Sequence, residues 1–372
     1  MNLKKFLKKA NLYYFLDFIR KLRFFQNRFH HQYFDYKFKK GVTKNAKTLD
    51  SNLLLELTNS LKNEFNLIPS SQWKDIHKEF QSDLLPLIEN SNYKEIGEML
   101  INPTSNNLMY GFDNMAKDLQ SRFRIETRFE CQTTADYFLV LSEFLEQEKV
   151  VGPEGIVSPI KRSININPVI NKVIKQLFPR NNKIFPNPFN GEIGIEGEHG
   201  IASIRDPGAI YQAFLTTNLG SNICEIGPGL GRSAYFSYLL GVRKYTLVDI
   251  PIPSLIQGHF LMQVFDRNEI VLNGEEERNE GLHLMVPDTF FNSQEKYDVV
   301  VNVDSLTEIG FEVAESYISE ISSRSKFFLS INHEGNEFTI SELIKNFPNF
   351  NKLSRNRSWM RKGYVEELYE IS

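Results

Sequence analysis

Gly227, Gly229 and Gly231 alternate in the run Gly227-Pro228-Gly229-Leu230-Gly231, between an apolar stretch, Asn222 to Ile226, and a segment of helical spacing, Arg232 to Leu240. Glycines so placed force a tight turn and leave no side chain between the backbone and a ligand, which can then lie directly on the turn. The helix behind the turn offers its free N–H groups to the same ligand, and Gly241 ends it. Lys244 to Val248 reads as a second strand, and Asp249 at its C-terminal end is placed to accept hydrogen bonds from the two hydroxyls of a ribose. Glu225, two residues ahead of the first glycine, adds a carboxylate. The dinucleotide fingerprint G-x-G-x-x-G requires glycine at position 232, and that position is Arg232.

Two further strand ends are unusually polar: Asn302-Val303-Asp304-Ser305-Leu306-Thr307-Glu308 and Ser330-Ile331-Asn332-His333-Glu334. His333 is the group there that titrates closest to neutrality, which suits a general base oriented by Asp304 or Glu334. It reads equally as a surface-loop histidine. Asp304 with Asn332 and Glu334 is a competing oxygen-rich set for Mg²⁺. His259, after Asp249, reads as a packed or solvent-facing side chain rather than a catalyst, and Tyr211 and Gln212 precede the first strand where they could cover a ligand.

These groups need a scaffold, and the pattern supplies one. Asp206-Pro207 caps a helix leading into the first strand. After Asp249, Pro253 to Phe265 reads as a helix, Leu282 to Val286 as strand three and Tyr297 to Val303 as strand four. Phe311 to Ser322 is a helix, Lys326 to Ile331 strand five and Ile340 to Phe347 a further helix. Lys352 to Trp359 and Tyr364 to Ile371 suit a last pair of strands. This alternation predicts a doubly wound α/β sheet with its ligand at the C-terminal strand ends, across the switch point of strand order. Residues 1–150 form a mainly helical N-terminal region, with Leu53 to Leu61, Trp73 to Phe80 and Ala135 to Gln147 as helices. Residues 151–204 read as a Gly/Pro-rich connector or active-site loops, and 205–372 as the ligand-binding domain.

The turn, its two carboxylates and the strand order resemble the first motifs of class I S-adenosylmethionine (SAM)-dependent methyltransferases, over roughly residues 205–372. The resemblance implies a mostly parallel, Rossmann-like sheet of seven strands, the last antiparallel. It also implies that Glu225 contacts the methionine moiety, usually through water, that Asp249 holds the ribose, and that Asp288 in MVPDTF meets the adenine amino group, unless Asp288 is a helix cap. Asn302 is counted with this cofactor set. The phrases EIGPGLGRSAYF, TLVDIPIPSLIQGHFL, HLMVP, YDVVVNVDSLTEIG and FLSINHE are similar to the bacterial sugar O-methyltransferases associated with surface-polysaccharide pathways. That implies a sugar or glycan acceptor, as a glycan, nucleotide sugar or lipid-linked sugar. Some metal-dependent O-methyltransferases carry an Asp-Asn or Asp-Asp pair after strand five, where this chain has Asn-His-Glu. Methylation of another small molecule or lipid intermediate, and a degenerate fold serving as an assembly subunit, are the alternatives.

The composition, 41% hydrophobic with a net charge of −3, is that of an ordinary globular chain long enough for two domains. Cys131 and Cys224 are too few and too far apart for a disulfide framework or a zinc site, which fits a reducing cytoplasm. No apolar run reaches membrane-spanning length, and the N-terminus lacks a signal peptide's uninterrupted apolar centre. Residues 1–40 carry eleven Lys/Arg against Asp17 and Asp35, interleaved with aromatics. Such an arm reads as a peripheral contact with anionic membrane, a nucleic-acid arm, or a solvated basic face over packed aromatics. No RNA-binding motif accompanies it, so nucleic acid is not the expected partner. A homo-oligomer is compatible with the chain.

Overall fold

The computed structural model describes residues 34–35, 37–40, 46–65, 72–117, 124–150, 164–361 and 363–372. Most of the basic arm therefore lies outside the described residues. Among those described, no helix is long and apolar enough to cross a membrane. The chain divides into two compact units, one of residues 1–40, 122–185 and 193–207, the other of residues 41–121, 186–192 and 208–372. Both units are discontinuous in sequence, so the 1–150 segment is distributed over the two.

The second unit is built on eight strands: β1 (Asn222–Ile226), β2 (Lys244–Val248), β3 (Ile270–Val271), β4 (Gly281–Met285), β5 (Tyr297–Val303), β6 (Ser325–His333), β7 (Phe350–Arg357) and β8 (Tyr364–Ile371). They are ordered β7-β8-β6-β5-β1-β2-β4-β3, and β8 runs against all the others. Without the two-residue edge strand β3, this is the seven-strand order of the class I methyltransferase fold. The sheet thus has one strand more than expected.

Strands β1, β2 and β5 are central, and Val299, Val300 and Val301 are wholly buried, as a strand covered on both faces requires. Asp298 interrupts that apolar run at its start, where its carboxylate accepts hydrogen bonds from the Ser221 and Asn222 amides at 3.1 and 3.0 Å. The covering helices are α1 (Asp206–Leu219), α2 (Arg232–Leu239), α3 (Pro251–Val264), α4 (Pro287–Asn292), α5 (Phe311–Arg324) and α6 (Ile340–Ile344). Proline opens α3 and α4 in the first turn, where a missing N–H costs nothing. On α5, Ala314, Tyr317, Ile318 and Ile321 face the sheet at helical spacing. Helices Ser51–Leu61 and Tyr93–Ile101 belong to the same unit, as do helix Gln72–Ile76 and the π turn His77–Gln81 that continues it.

In the first unit, helices Arg124–Phe144 and Asn167–Leu177 accompany an antiparallel sheet of Lys37–Lys40, Ile193–Gly197 and Gly200–Ala202. The stretch read as connector or loops therefore contains a helix and a hairpin. Pro168 occupies the first turn of that helix, and Val169, Ile170, Val173 and Ile174 form its buried stripe.

Candidate active site

The glycine turn joins β1 to α2 beside the point where strand order reverses, with β2 on one side of β1 and β5 on the other. All three glycines adopt positive φ, +70° at Gly227, +60° at Gly229 and +81° at Gly231, a region costly for other residues. Gly227 is excluded from change by space as well. A Cβ there would lie 2.2 Å from Ser305 Oγ and 2.4 Å from Ser305 Cβ. The turn is tied back by the Gly227 amide, which donates to Val248 O at 2.9 Å, and by the Gly231 amide, which donates to Pro228 O at 3.0 Å.

Asp249 closes β2 against this turn. Its Oδ2 accepts from the Gly229 amide at 3.1 Å and from Gln257 Nε2 at 2.9 Å, while Oδ1 accepts from the Ile250 amide at 2.8 Å. A carboxylate oxygen takes two hydrogen bonds, so Oδ1 keeps capacity for a ligand hydroxyl. Burial pushes the Asp249 carboxyl up to about 7, against the pull of these donors. Glu225 is almost fully buried, with Oε1 accepting from Gln212 Nε2 at 2.5 Å and Oε2 from Tyr245 Oη at 2.7 Å. Burial raises it, too, to about 7. It therefore joins α1 and β2 to β1, a structural duty beyond the water-mediated contact that the resemblance implies.

Tyr211, expected near the ligand with Gln212, instead donates from Oη to Glu366 Oε2 at 2.8 Å. Asp288 is exposed in the first turn of α4, directly after β4. Asn302 requires a correction. It is wholly buried; its Nδ2 donates to Ile226 O at 2.9 Å and to Ser305 Oγ, and its Oδ1 accepts from Asn332 Nδ2 at 2.9 Å and the Leu306 amide at 3.3 Å. Two donor hydrogens and two lone pairs are spent, so it brackets β5 to β1 and has nothing left for a cofactor.

Asp304 follows β5 at φ +63°, a left-handed conformation that aspartate tolerates better than most side chains. Its Oδ2 accepts from Arg361 Nη2 at 2.7 Å and its Oδ1 from Tyr364 Oη at 2.8 Å, while His333 Nε2 lies 3.8 Å from Oδ1. Arg361 also donates to Tyr364 Oη at 2.7 Å and lies 3.8 Å over the Tyr364 ring. Burial, first of all, pushes the Tyr364 hydroxyl far up, so it stays a donor. His333 Nδ1 accepts from the Gly335 amide at 3.3 Å, which leaves the ring hydrogen on Nε2, facing Asp304.

The structure thus brings His333 and Asp304 together, but not Glu334 or Asn332. Glu334 is exposed and accepts from Arg355 Nη2 at 2.7 Å, and Asn332 is buried with its amide turned to Asn302 and Ser330. The set Asp304, Asn332 and Glu334 therefore does not converge on a metal, and Glu334 does not orient His333. On β6, Asn332 and His333 are neighbours on opposite faces, and Glu334 lies past the end of the strand, which closes at His333. Glu308 does approach, with ligand-capable atoms of Asp304, Glu308 and His333 all within 4.8 Å of one another. Arg361 already neutralises Asp304 there, which opposes a dication.

Arg361, Tyr364 and Glu308 are the residues that sequence reasoning missed. Glu308 closes the polar stretch Asn302 to Glu308 but was given no role, whereas Tyr364 is placed by its pairing with His333 across β6 and β8. His259 is wholly buried against Phe189, ring centroids 5.9 Å apart, and burial pushes it down to about 3. It is a packed neutral ring.

No family model matches the chain, and no curated protein matches it. It is similar to the solved magnesium protoporphyrin IX methyltransferase of Synechocystis PCC 6803 with bound SAM, at 16% identity and a TM-score of 0.34, over 44% of this chain and 77% of that one. It is similar also to mitomycin 7-O-methyltransferase, at 14% identity and a TM-score of 0.33 over 45% and 55% of the two chains. A third similar structure is TehB of Haemophilus influenzae, at 16% identity and 0.31 over 44% and 62%.

Proposed function

We propose that the protein is a SAM-dependent O-methyltransferase acting on a hydroxyl of a sugar, carried on a glycan, a nucleotide or a lipid. The observation that carries the cofactor reading is the coupling of Asp249 to the Gly229 amide at the switch point, with acceptor capacity left on Oδ1. Asp249 is the acceptor that a ribose hydroxyl needs, and the glycines leave no side chain between the turn and the ligand. The sugar reading rests on the family resemblance of the phrases around β1, β2, β4, β5 and β6. SAM supplies a methyl group on sulfur that needs little activation, so the protein must chiefly align the acceptor, exclude water and take up a proton.

A sugar hydroxyl is too weak an acid to ionise near neutrality. His333 takes that proton at Nδ1, where the acceptor O–H displaces the long hydrogen bond from Gly335. The O–H bond breaks, its electron pair stays on oxygen, and the imidazolium formed has its Nε2–H toward Asp304. Arg361 and Tyr364 hold Asp304 in the orientation that faces this N–H. Labelled methyl transfer from SAM to extracted glycans and nucleotide sugars, with mass spectrometry of the product, tests the assignment. Label that enters only sugar-free lipids or other metabolites without a sugar refutes the sugar acceptor.

A further inference from the structure

Arg232, the residue that breaks the dinucleotide fingerprint, has a use. Its side chain is 11% exposed and pairs through Nη2 with Glu192 Oε1 at 3.1 Å and Asp113 Oδ2 at 3.5 Å, carboxylates that are 2% and 1% exposed. A buried guanidinium with two carboxylates costs much desolvation and persists where it fixes a geometry. The two acidic residues come from separate segments, and those segments are fastened to each other. Asn190 donates from its amide to Ile101 O at 2.8 Å and from Nδ2 to Asn102 Oδ1 at 2.8 Å, and Gly191 packs on Thr104. Asp113 Oδ1 accepts from the Met115 amide at 3.1 Å, which holds the turn around it.

Next to Asp113 is Phe112, and Phe112 lies on the glycine turn. A Cβ built on Gly229 would be 3.5 Å from Phe112 Cβ and 3.8 Å from both its Cδ2 and its carbonyl oxygen. We propose that Arg232, Asp113 and Glu192 form a clamp that holds Phe112 over the turn as the outer wall of the cofactor site, where the ring packs on the bound nucleoside. Phe112 is then a cofactor contact, and the three charged residues are positioning residues acting through it. This rests on the SAM reading above.

The test is SAM binding to the full chain, by calorimetry for affinity and stopped flow for the dissociation rate, in variants whose circular dichroism matches the wild type. Phe112→Ala is expected to weaken affinity at least about tenfold, as removal of a ring stacked on a base does, and Phe112→Leu by less. Asp113→Asn and Glu192→Gln are expected to speed SAM dissociation with little change in association. Phe311→Ala, which removes a half-exposed ring elsewhere, should leave both unchanged. Wild-type affinity in both Phe112 variants overturns the proposal. So does tighter binding by Phe112→Ala, which would mean that the ring occupies ground the cofactor needs. Unaltered dissociation in both clamp variants overturns the clamp. Failure of the wild type to bind SAM overturns the cofactor reading itself, and this proposal with it.

Discussion

Replacing Gly227 with alanine brings two penalties that can be separated. The backbone penalty comes from φ +70°, at about 1–2 kcal/mol for a residue with a Cβ. The second is local: with Ser305 Cβ at 2.4 Å and ordinary contact beginning at 3.4 Å, the serine must retreat by about an ångström. That retreat breaks the hydrogen bond from Ser305 Oγ to Ile226 O, 3.0 Å long, and the one Oγ accepts from Asn302. At about 0.5–1.5 kcal/mol each, the two bring the expected total to about 2–5 kcal/mol. Gly241 is the matched control, since at φ +105° it has nothing within 4 Å of its Cβ position, and Gly241→Ala should cost only the backbone share. Denaturant unfolding of both variants, and of Gly227→Ala in a Ser305→Gly background, completes the measurement. The excess of Gly227→Ala over Gly241→Ala should largely vanish when Ser305 is glycine. Equal costs for the two alanines, or an excess that survives in the Ser305→Gly background, would refute the reasoning.

Asp249→Ala should weaken SAM binding by about 1–3 kcal/mol in calorimetry, while Asp298→Ala, at the other end of the sheet, should lose stability and keep its affinity. His333→Ala should lower turnover by about two to four orders of magnitude with SAM affinity retained, and chelator should leave the wild-type rate unchanged; inhibition by EDTA, reversed by Mg²⁺, would replace the base with a metal. Glu225, raised from the usual carboxylate range to about 7, binds its proton more tightly in the folded state, so its contribution is present below about 4.5 and is lost as pH rises through 7. The stability of the unliganded protein should therefore fall over that window, and less steeply in Glu225→Gln; identical slopes by denaturant unfolding at pH 5.5 and 7.5 would count against the buried carboxylate as the cause.

The bounds of β5 and β8 could be read from the sequence because both are rich in apolar and aromatic residues, with Asp298 and Asn302 the breaks in β5 and Glu366, Glu367 and Glu370 those in β8. The glycine turn and Asp249 were equally legible, since their chemistry is local. Glu334 and Asn332 were misplaced because three consecutive polar residues look like one cluster, while the pleat sends Asn332 and His333 to opposite faces and the strand ends before Glu334. Asn302 was misread for a similar reason: polarity near a site suggests a ligand, and only its four partners reveal a bracket. Arg361 and Tyr364 reach Asp304 by a return of the chain through β7 and β8, a pairing across tens of residues that no local pattern encodes. The helix Asn167–Leu177 was hidden by the prolines and glycines around it, although its buried stripe has ordinary helical spacing.

The Asn302 and Ser305 bracket makes one mechanical part of two regions with different tasks. Ser305 touches Gly227, bonds to Ile226 and directly follows Asp304, so the glycine turn and the support of the Asp304 carboxylate share a joint. A ligand that presses on the floor shifts the joint, and the joint carries Asp304 with it. Linkage then works in both directions: whatever free energy the first ligand contributes toward setting Asp304 in place, the second no longer has to supply. On the methyltransferase reading proposed above, the coupling between the two ligand sites becomes a property of one serine that joins their supports.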